Sequence, residues 1–112
     1  MKKITIITRQ EKFEVLKKLL NDLGVKGMTV SNVMGCGNQK GSTEFYRGTE
    51  VRVSLINKTK VDVIVSDSLV DEIVDEVIKH VATGKVGDGK IFISPIENAV
   101  RIRTGEKGDA AI

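Results

Sequence analysis

Two stretches of the chain repeat apolar side chains at helical spacing, and each lies between segments that favour β-strands. The first stretch covers residues 13–23 and is followed by Gly24, which suits the left-handed conformation that ends many helices. The second covers residues 70–81 and runs up to Thr83-Gly84. Because an amphipathic helix buries only one face, both helices are predicted to pack on a sheet built from the flanking segments.

The expected helix starts are two segments with the spacing of a capping box, Thr8 to Glu11 and Ser68 to Asp71. In this motif the first side chain accepts a hydrogen bond from an amide of the first turn, and the fourth reaches back. The sequence therefore predicts that the helices begin at these two segments.

Four segments rich in β-branched residues are predicted strands, at 4–8, 28–34, 60–65 and 91–96. With the helices they give the order strand, helix, strand, strand, helix, strand. This order is typical of an α+β ferredoxin-like fold, a four-stranded antiparallel sheet with both helices on one face. At 112 residues, the chain is predicted to be a single domain.

The face of the predicted sheet that the helices leave uncovered must meet solvent or another subunit. Self-association is expected there because many strand residues are apolar, among them Ile4, Ile6, Val61, Val63 and Val65. The tail 100–105 is expected to add a short further strand, which would place Arg101 and Arg103 on the same side of an extended segment.

The two middle strands are joined by an unusually long connection, Gly35 to Lys58, which has no sustained periodicity. Such connections in a compact domain are generally functional loops or disordered segments. Gly35 and Gly37 stand where the loop leaves its strand, and without a Cβ they let a ligand approach the backbone. The base of the loop is therefore predicted to contact a small molecule, and its tip a protein.

Composition narrows the classes of function. The net charge is +3 and the aromatic content is 4% with no tryptophan, which argues against a protein that stacks nucleobases. Because no long apolar run or signal-peptide core is present, a cytoplasmic location is expected. Cys36 is the single cysteine and cannot form an internal disulfide. His80, the single histidine, has no second His or Cys close in sequence to complete a metal site.

Residues 84–90 match the Gly-x-x-x-x-Gly-Lys part of a phosphate-binding P-loop. The full motif fails, because Ile91 stands where a P-loop has Ser or Thr and because this segment leaves a helix and enters a strand. Its glycines nevertheless allow backbone amides to converge on an anion, with Lys85 and Lys90 supplying positive charge. The alternative is a flexible glycine-rich turn without a ligand.

Other side chains suited to ligands are uninformative one at a time. Arg101 and Arg103 could both fork onto phosphate oxygens. Gln39 and Lys58 bracket the long loop with an amide oxygen for a cation and an ammonium for a carboxylate. Each has an alternative as an ordinary surface residue, so these positions gain weight only in combination.

The combination resembles the PII nitrogen-regulatory signal transduction proteins of the GlnB/GlnK type. Four strings carry the resemblance: Gly-x-Gly-x-Gln-Lys-Gly at 35–41, Tyr46-Arg47-Gly48, Thr83 to Phe92, and Val100 to Glu106. The resemblance covers essentially the whole chain without a gap. It implies a homotrimer with a T-loop at about 37–55, a B-loop at about 82–90 and a C-terminal loop at about 101–112.

The resemblance also implies ligands: ATP or ADP bound competitively in the clefts between subunits, and 2-oxoglutarate bound together with Mg²⁺ and ATP. The residues expected at the nucleotide are Thr29, Gly35, Gly37, Asn38, Gln39, Ile64, Gly87, Asp88, Gly89, Lys90, Arg101, Ile102 and Arg103. Those expected from the neighbouring subunit are Thr29, Arg101 and Arg103. The residues expected at 2-oxoglutarate are Gln39, Lys40, Gly41, Lys58 and Gly87, and Gln39 is also expected to help hold Mg²⁺.

The target is expected to be an ammonium transporter or an enzyme or regulator of nitrogen metabolism, so membrane contact would be indirect. The residues expected to touch it are Tyr46, Arg47 and Gly48. In relatives that bind an ammonium channel, an arginine of the loop enters the cytoplasmic pore, and the matching residue is Arg47.

Several positions depart from the family pattern. Val51 replaces the tyrosine that is uridylylated in many bacterial members, which excludes control by uridylylation at this position. Thr49 replaces a serine that is phosphorylated in some cyanobacterial members. Cys36 replaces a bulky residue, and Asn38 replaces a common arginine near the phosphates. Losing that cation is expected to weaken nucleotide binding by about 1 to 3 kcal/mol or to change the preference between ATP and ADP.

The sequence is therefore interpreted as a non-enzymatic sensor that regulates nitrogen metabolism. The alternative is a small phosphate-handling enzyme on the same fold that uses the turn at 87–90. Asp88 is the one candidate base beside that turn, and a weak one. A nucleic-acid-binding ferredoxin-like domain is a third reading, which the low aromatic content disfavours.

Overall fold

A computed structural model describes residues 1–36, 43–46, 49–52 and 55–112, with the backbone alone for 43–46 and 49–52. The strands are β1 Lys2–Thr8, β2 Thr29–Gly35, β3 Thr43–Tyr46, β4 Thr49–Arg52, β5 Ile56–Val65 and β6 Lys90–Pro95. The helices are α1 Phe13–Asp22 and α2 Val70–Val81.

Four strands form one antiparallel sheet in the order β2-β5-β1-β6. Strand β1 lies in the centre, where Lys2 faces Val65 of β5 on one side and Pro95 of β6 on the other. Strand β2 pairs with the outer side of β5, beginning with Thr29 opposite Asp62. The predicted four-stranded antiparallel sheet is therefore confirmed.

Both helices pack on the same face of this sheet. Alternate residues of β1 and β5 point to that face and form one core with residues of the two helices. The buried members are Ile4, Ile6, Leu16, Leu20, Val25, Val61, Val63, Val65, Ile73, Val77 and Val81. Gly24 ends α1 with a φ of 85°, as its position predicted.

The opposite face of the sheet is more polar than expected. The strand residues on which the expectation of self-association rested point into the core, and Ile4, for example, is fully buried. The other face instead carries Asp62, which accepts a hydrogen bond from the Thr5 hydroxyl. The Lys3 and Lys60 ammonium groups lie 4.0 and 3.9 Å from the Asp62 carboxylate. The prediction that these apolar residues lie on the uncovered face was therefore wrong, because side chains alternate between the faces of a strand and these point toward the helices.

Neither helix begins with the predicted capping box. Thr8 is the last residue of β1 and pairs with Thr59 of β5, so the sheet holds its backbone. A short 3₁₀ turn, Gln10–Lys12, then leads into α1. Ser68 lies inside a similar turn, Asp67–Leu69, before α2. No side chain caps any of these starts.

The long connection contains structure that periodicity did not predict. Strands β3 and β4 form a two-stranded ladder, with Thr43 opposite Arg52 and Tyr46 opposite Thr49. Strand β5 also begins earlier than predicted, at Ile56. The connection thus pairs with itself over a short distance.

The C-terminal tail does not add a strand. Residues 102–104 form a turn, which is closed by a hydrogen bond of 2.8 Å from the Gly105 amide to the Arg101 carbonyl. Gly105 has a φ of 74°, which turns the chain back, and a single bridge joins Val100 to Lys107. Arg101 and Arg103 therefore do not lie on one side of an extended segment, as the alternating pattern had predicted.

The two helices contain 10 and 12 residues. Over the part of the chain that the structure describes, neither is long and apolar enough to cross a membrane.

Candidate functional site

A cavity of about 500 Å³ lies where the base of the long connection meets the loop between α2 and β6. This loop, residues 82–89, is called the glycine loop below. The cavity is lined by Ile7, Gly35, Cys36, Ile56, Lys58, Lys85, Val86, Gly87, Asp88, Gly89, Lys90 and Phe92. Its volume is within the range of about 300 to 1,000 Å³ that small-molecule sites occupy.

The glycine loop leaves a helix and enters a strand, as the sequence predicted, so it is not a P-loop. It lies against the end of β1 at Gly89. A Cβ at this position would stand 1.7 Å from the Ile7 carbonyl oxygen, and the φ of Gly89 is 99°. Only glycine therefore lets the loop pass this close to β1.

Asp88 holds the first half of the glycine loop through its carboxylate. The Thr83 and Gly84 amides donate to Oδ2 at 2.8 and 2.9 Å, and the Thr83 hydroxyl donates to Oδ1. These hydrogen bonds hold the pKa of Asp88 well below its usual range. The bond from the Thr83 hydroxyl contributes most to the lowering, and the two amides and Arg9 contribute less. The carboxylate is therefore a weak base that is already engaged, which argues against the enzyme alternative.

Arg9 joins the glycine loop to the end of β1. Its Nε lies 3.1 Å from Asp88 Oδ1, and its Nη2 donates to the Val86 carbonyl at 2.7 Å. The side chain of Arg9 is only 15% exposed. No role in the site was predicted for Arg9, because no spacing or motif connects it with residues 77 and 79 positions later.

Lys58 contacts the glycine loop from β5. Its Nζ donates a hydrogen bond to the Gly87 carbonyl. Burial lowers the pKa of Lys58, repulsion from Arg9 lowers it further, and Glu11 and Asp88 act in the opposite direction. Two cations, Arg9 just after β1 and Lys58 in β5, thus contact consecutive carbonyls of the loop.

The cavity brings together six of the residues that the sequence assigned to ligands: Gly35, Lys58, Gly87, Asp88, Gly89 and Lys90. Five other described residues with such assignments do not line it: Thr29, Ile64, Arg101, Ile102 and Arg103. Several assignments lie outside the described residues: Gly37, Asn38, Gln39, Lys40, Gly41, Arg47 and Gly48. Of Tyr46 only the backbone is described.

The lining suits an anionic ligand with an apolar part. Lys58, Lys85 and Lys90 bring three cationic side chains to the lining of the cavity, against one carboxylate, that of Asp88. Ile7 and Phe92 offer apolar contact nearby, and Phe92 is 52% exposed. Within the described ranges there is no group of three or more His, Cys, Asp or Glu side chains that could hold a metal ion by itself.

Comparison with known proteins agrees with these observations. The family model described as nitrogen regulatory protein P-II matches residues 1–106. Proteins with that name from Microchaete diplosiphon, Azospirillum brasilense and Klebsiella oxytoca are 52%, 47% and 47% identical to the chain. Each of the three alignments covers 100% of both sequences. The name describes a regulatory protein and not an enzyme, and the chain belongs to the nitrogen regulatory protein P-II family.

Proposed function

We propose that the chain is a nitrogen-regulatory sensor that binds ATP or ADP, Mg²⁺ and 2-oxoglutarate. Binding of these ligands regulates a target protein through the long connection. Membership of the P-II family supports the regulatory part of this proposal. One structural observation supports the ligand part. A single cavity is lined by the glycine loop and by Gly35 and Cys36, the residues from which the long connection starts.

In this proposal the glycine loop and Lys90 bind the phosphates of the nucleotide. Lys90 supplies a positive charge, and Gly89 lets the backbone lie close to the ligand and to β1. Arg101 and Arg103 reach the phosphates from a neighbouring copy in a homotrimer, which agrees with their absence from the lining of the cavity within one chain. From the resemblance, Thr29 is also assigned to the nucleotide from the neighbouring copy, and Ile64 from the same copy as the glycine loop.

Lys58 is proposed to meet the distal carboxylate of 2-oxoglutarate. A lysine ammonium has three N–H donors, so Nζ can donate to a ligand carboxylate as well as to the Gly87 carbonyl. Gln39 is proposed to help hold Mg²⁺, which would neutralise part of the phosphate charge. Because Gln39, Lys40 and Gly41 follow Gly35 and Cys36 closely in the chain, their engagement would change the conformations available to the loop.

The loop tip, Tyr46-Arg47-Gly48, is proposed to contact the target, such as an ammonium transporter or a protein of nitrogen metabolism. Ligands regulate this contact only if they bind one loop conformation more tightly than another. Val51 cannot be uridylylated, so control would rest on the bound small molecules.

Isothermal titration calorimetry tests the ligand part. We expect ATP and ADP to bind, and 2-oxoglutarate to bind only when Mg²⁺ and ATP are present. Lys58→Met is expected to abolish the 2-oxoglutarate signal while nucleotide still binds, and Lys26→Met, at an exposed lysine, serves as the control. Absence of nucleotide binding, or binding of 2-oxoglutarate that ignores Mg²⁺ and ATP, would refute the proposal.

The partner part is tested by affinity capture from cytosol and membranes, once with ADP and once with Mg²⁺, ATP and 2-oxoglutarate. We expect at least one nitrogen-metabolism protein or transporter to be captured under one condition and not the other. Native mass spectrometry is expected to give three times the mass of the chain. Identical captures under both conditions would contradict the regulated contact with a target. A monomer in the mass spectrum would contradict the homotrimer.

A further inference from the structure

A second cavity, of about 370 Å³, lies between α2 and β6. It is lined mainly by aliphatic side chains, among them Val74 and Ile78 of α2 and Ile91 and Ile93 of β6. We infer that this cavity binds a small uncharged aliphatic molecule that carries one hydrogen-bonding group. The inference goes beyond the proposed function and does not depend on it.

The aliphatic part of the lining is accessible from solvent. Ile78 and Ile93 are 59% and 49% exposed, whereas Ile6 and Val77 at the same cavity are buried. The volume is within the range of about 300 to 1,000 Å³ that small-molecule sites occupy. An apolar molecule that enters such a concave surface removes both its own surface and that of the lining from water, which favours binding.

Thr8 brings one polar group to this lining. The residue is 1% exposed, and its hydroxyl oxygen has no hydrogen-bond partner among the residues that the structure describes. A buried hydroxyl without a partner is unfavourable, so a ligand group that pairs with it stabilises the complex. Because a hydroxyl both donates and accepts, an alcohol group on the ligand meets this requirement.

The charged residues of the lining favour an uncharged ligand. The carboxylate of Asp88 is already engaged by the Thr83 and Gly84 amides. Lys90 directly precedes Ile91, which packs against the core, and neighbouring side chains of a strand point to opposite faces. The Lys90 ammonium is therefore directed away from the helices. A charged ligand would have to leave water for an aliphatic surrounding without a counter-ion, which is costly.

The second cavity shares part of its wall with the first. Ile7, Asp88, Gly89 and Lys90 line both cavities. An occupant of the second cavity would therefore contact the end of the glycine loop. The amide resonance of Gly89 is expected to report its binding.

The test is a titration of the full chain in its native assembly with cyclohexanol, followed by NMR. The methyl resonances of Ile78 and Ile93 should shift and saturate with a dissociation constant of about 1 to 10 mM. Cyclohexanecarboxylate at pH 7, which has the same ring and a charge, should not saturate over the same concentrations. Thr8→Val keeps the shape and removes the hydroxyl, so it should weaken cyclohexanol binding about fivefold. Thr104→Val, at an exposed threonine of the C-terminal turn, is the control and should change it by less than about twofold.

Ile78→Asn keeps the test decisive if Thr8→Val does not fold. Ile78 is largely exposed, so its replacement should leave the fold intact and should weaken cyclohexanol binding severalfold. Absence of a saturable shift in wild type would overturn the inference, and a second copy that covers Ile78 and Ile93 would give this result. Equal cyclohexanol affinity in wild type and in a folded Thr8→Val or Ile78→Asn variant would also overturn it, as would tighter binding of the carboxylate.

Discussion

The glycine loop and the C-terminal turn are both shaped by glycines with positive φ, yet they are held in different ways. The glycine loop is held by hydrogen bonds from two segments distant in the chain, from Arg9 just after β1 and from Lys58 in β5. The C-terminal turn is closed by its own backbone, with bonds of 2.8 Å from the Gly105 amide to the Arg101 carbonyl and from the Arg101 amide to the Glu106 carbonyl. The first shape therefore depends on the tertiary structure, and the second on neighbouring residues in the chain.

The same contrast appears in the side chains that the two segments present. In the glycine loop, Asp88 is surrounded by donors and Gly89 contacts the backbone of β1. In the C-terminal turn, Ile102 is fully exposed. Changes in the glycine loop should therefore disturb the fold of this chain more than equal changes in the turn.

The largest expected effect is that of Gly89→Ala. A Cβ would stand 1.7 Å from the Ile7 carbonyl oxygen in a backbone conformation that alanine rarely adopts. We expect the free energy of unfolding to fall by about 2 to 4 kcal/mol. Urea unfolding measures this loss in the free energy of unfolding. The protein concentration is held fixed because assembly of several copies would make the measured stability depend on concentration.

Gly105→Ala is the matched change in the C-terminal turn. Gly105 also has a positive φ, 74°, but no heavy atom lies within 4 Å of a Cβ built there. Only the backbone cost remains, about 1 to 2 kcal/mol. Equal losses at the two glycines would show that the close approach to β1 does not matter and would remove the contrast between the two segments.

The next effect is that of Asp88→Asn, which should lower the melting temperature at neutral pH because the amide cannot replace a carboxylate that accepts from several donors. The effect should depend on pH. The folded protein lowers the pKa of Asp88, so the stabilisation is present above the usual pKa of 3.8 and is lost as the pH falls toward the folded value. The gap in melting temperature between wild type and variant should therefore shrink from pH 6 to pH 3.

Asp109→Asn, at an exposed aspartate of the C-terminal segment, is the control for this experiment. It should change the melting temperature little at any pH in the series. A gap for Asp88→Asn that widens as the pH falls would contradict the assigned role of the carboxylate.

Thr83→Val should have a smaller effect, because it removes the hydroxyl that donates to Asp88 and keeps the backbone amide that does the same. The hydroxyl also accepts a hydrogen bond from the Lys85 amide at 3.2 Å. The loss of these two contacts in an exposed loop is expected to cost about 1 kcal/mol in unfolding free energy. Thr83→Ser retains the hydroxyl and should recover most of the stability in the same urea measurement. A serine variant as unstable as the valine variant would exclude the hydroxyl as the cause.

The smallest expected effect is that of Ile102→Ser. Since Ile102 is fully exposed in this chain, its replacement should change the free energy of unfolding by less than about 0.5 kcal/mol. Urea unfolding at two protein concentrations measures the effect. A larger loss that grows with concentration would contradict the prediction and would mean that another chain covers this side chain.

Much of the fold could be predicted from local patterns. The two helices and the four sheet strands followed from spacing that each segment carries within itself, and Gly24 marked the end of α1 because its conformation is a local property. The capping box at Thr8 failed because the pairing of Thr8 with Thr59 holds that residue in the sheet. The one at Ser68 failed because this residue lies inside the 3₁₀ turn before α2. The further strand at 100–105 failed because Gly105 turns the chain back on itself.

Part of the candidate site could also be predicted. Gly87, Gly89 and Lys90 were identified from the partial P-loop motif, and Lys58 from its place at the end of the long connection. All four line one cavity. Their joint assignment needed the resemblance to a family, because no local pattern connects residue 58 with residues 87–90. Arg9 was missed for the same reason.

By itself, the sequence determined the order of helices and strands, the face of each helix that is buried, and the family to which the chain belongs. These properties depend on residues a few positions apart or on strings that can be read directly. Only the tertiary structure decided that Arg9 and Lys58 contact consecutive carbonyls of the glycine loop and that Gly89 lies against Ile7. Such contacts arise when packing of the helices on the sheet brings distant segments together, and no spacing within the chain encodes them.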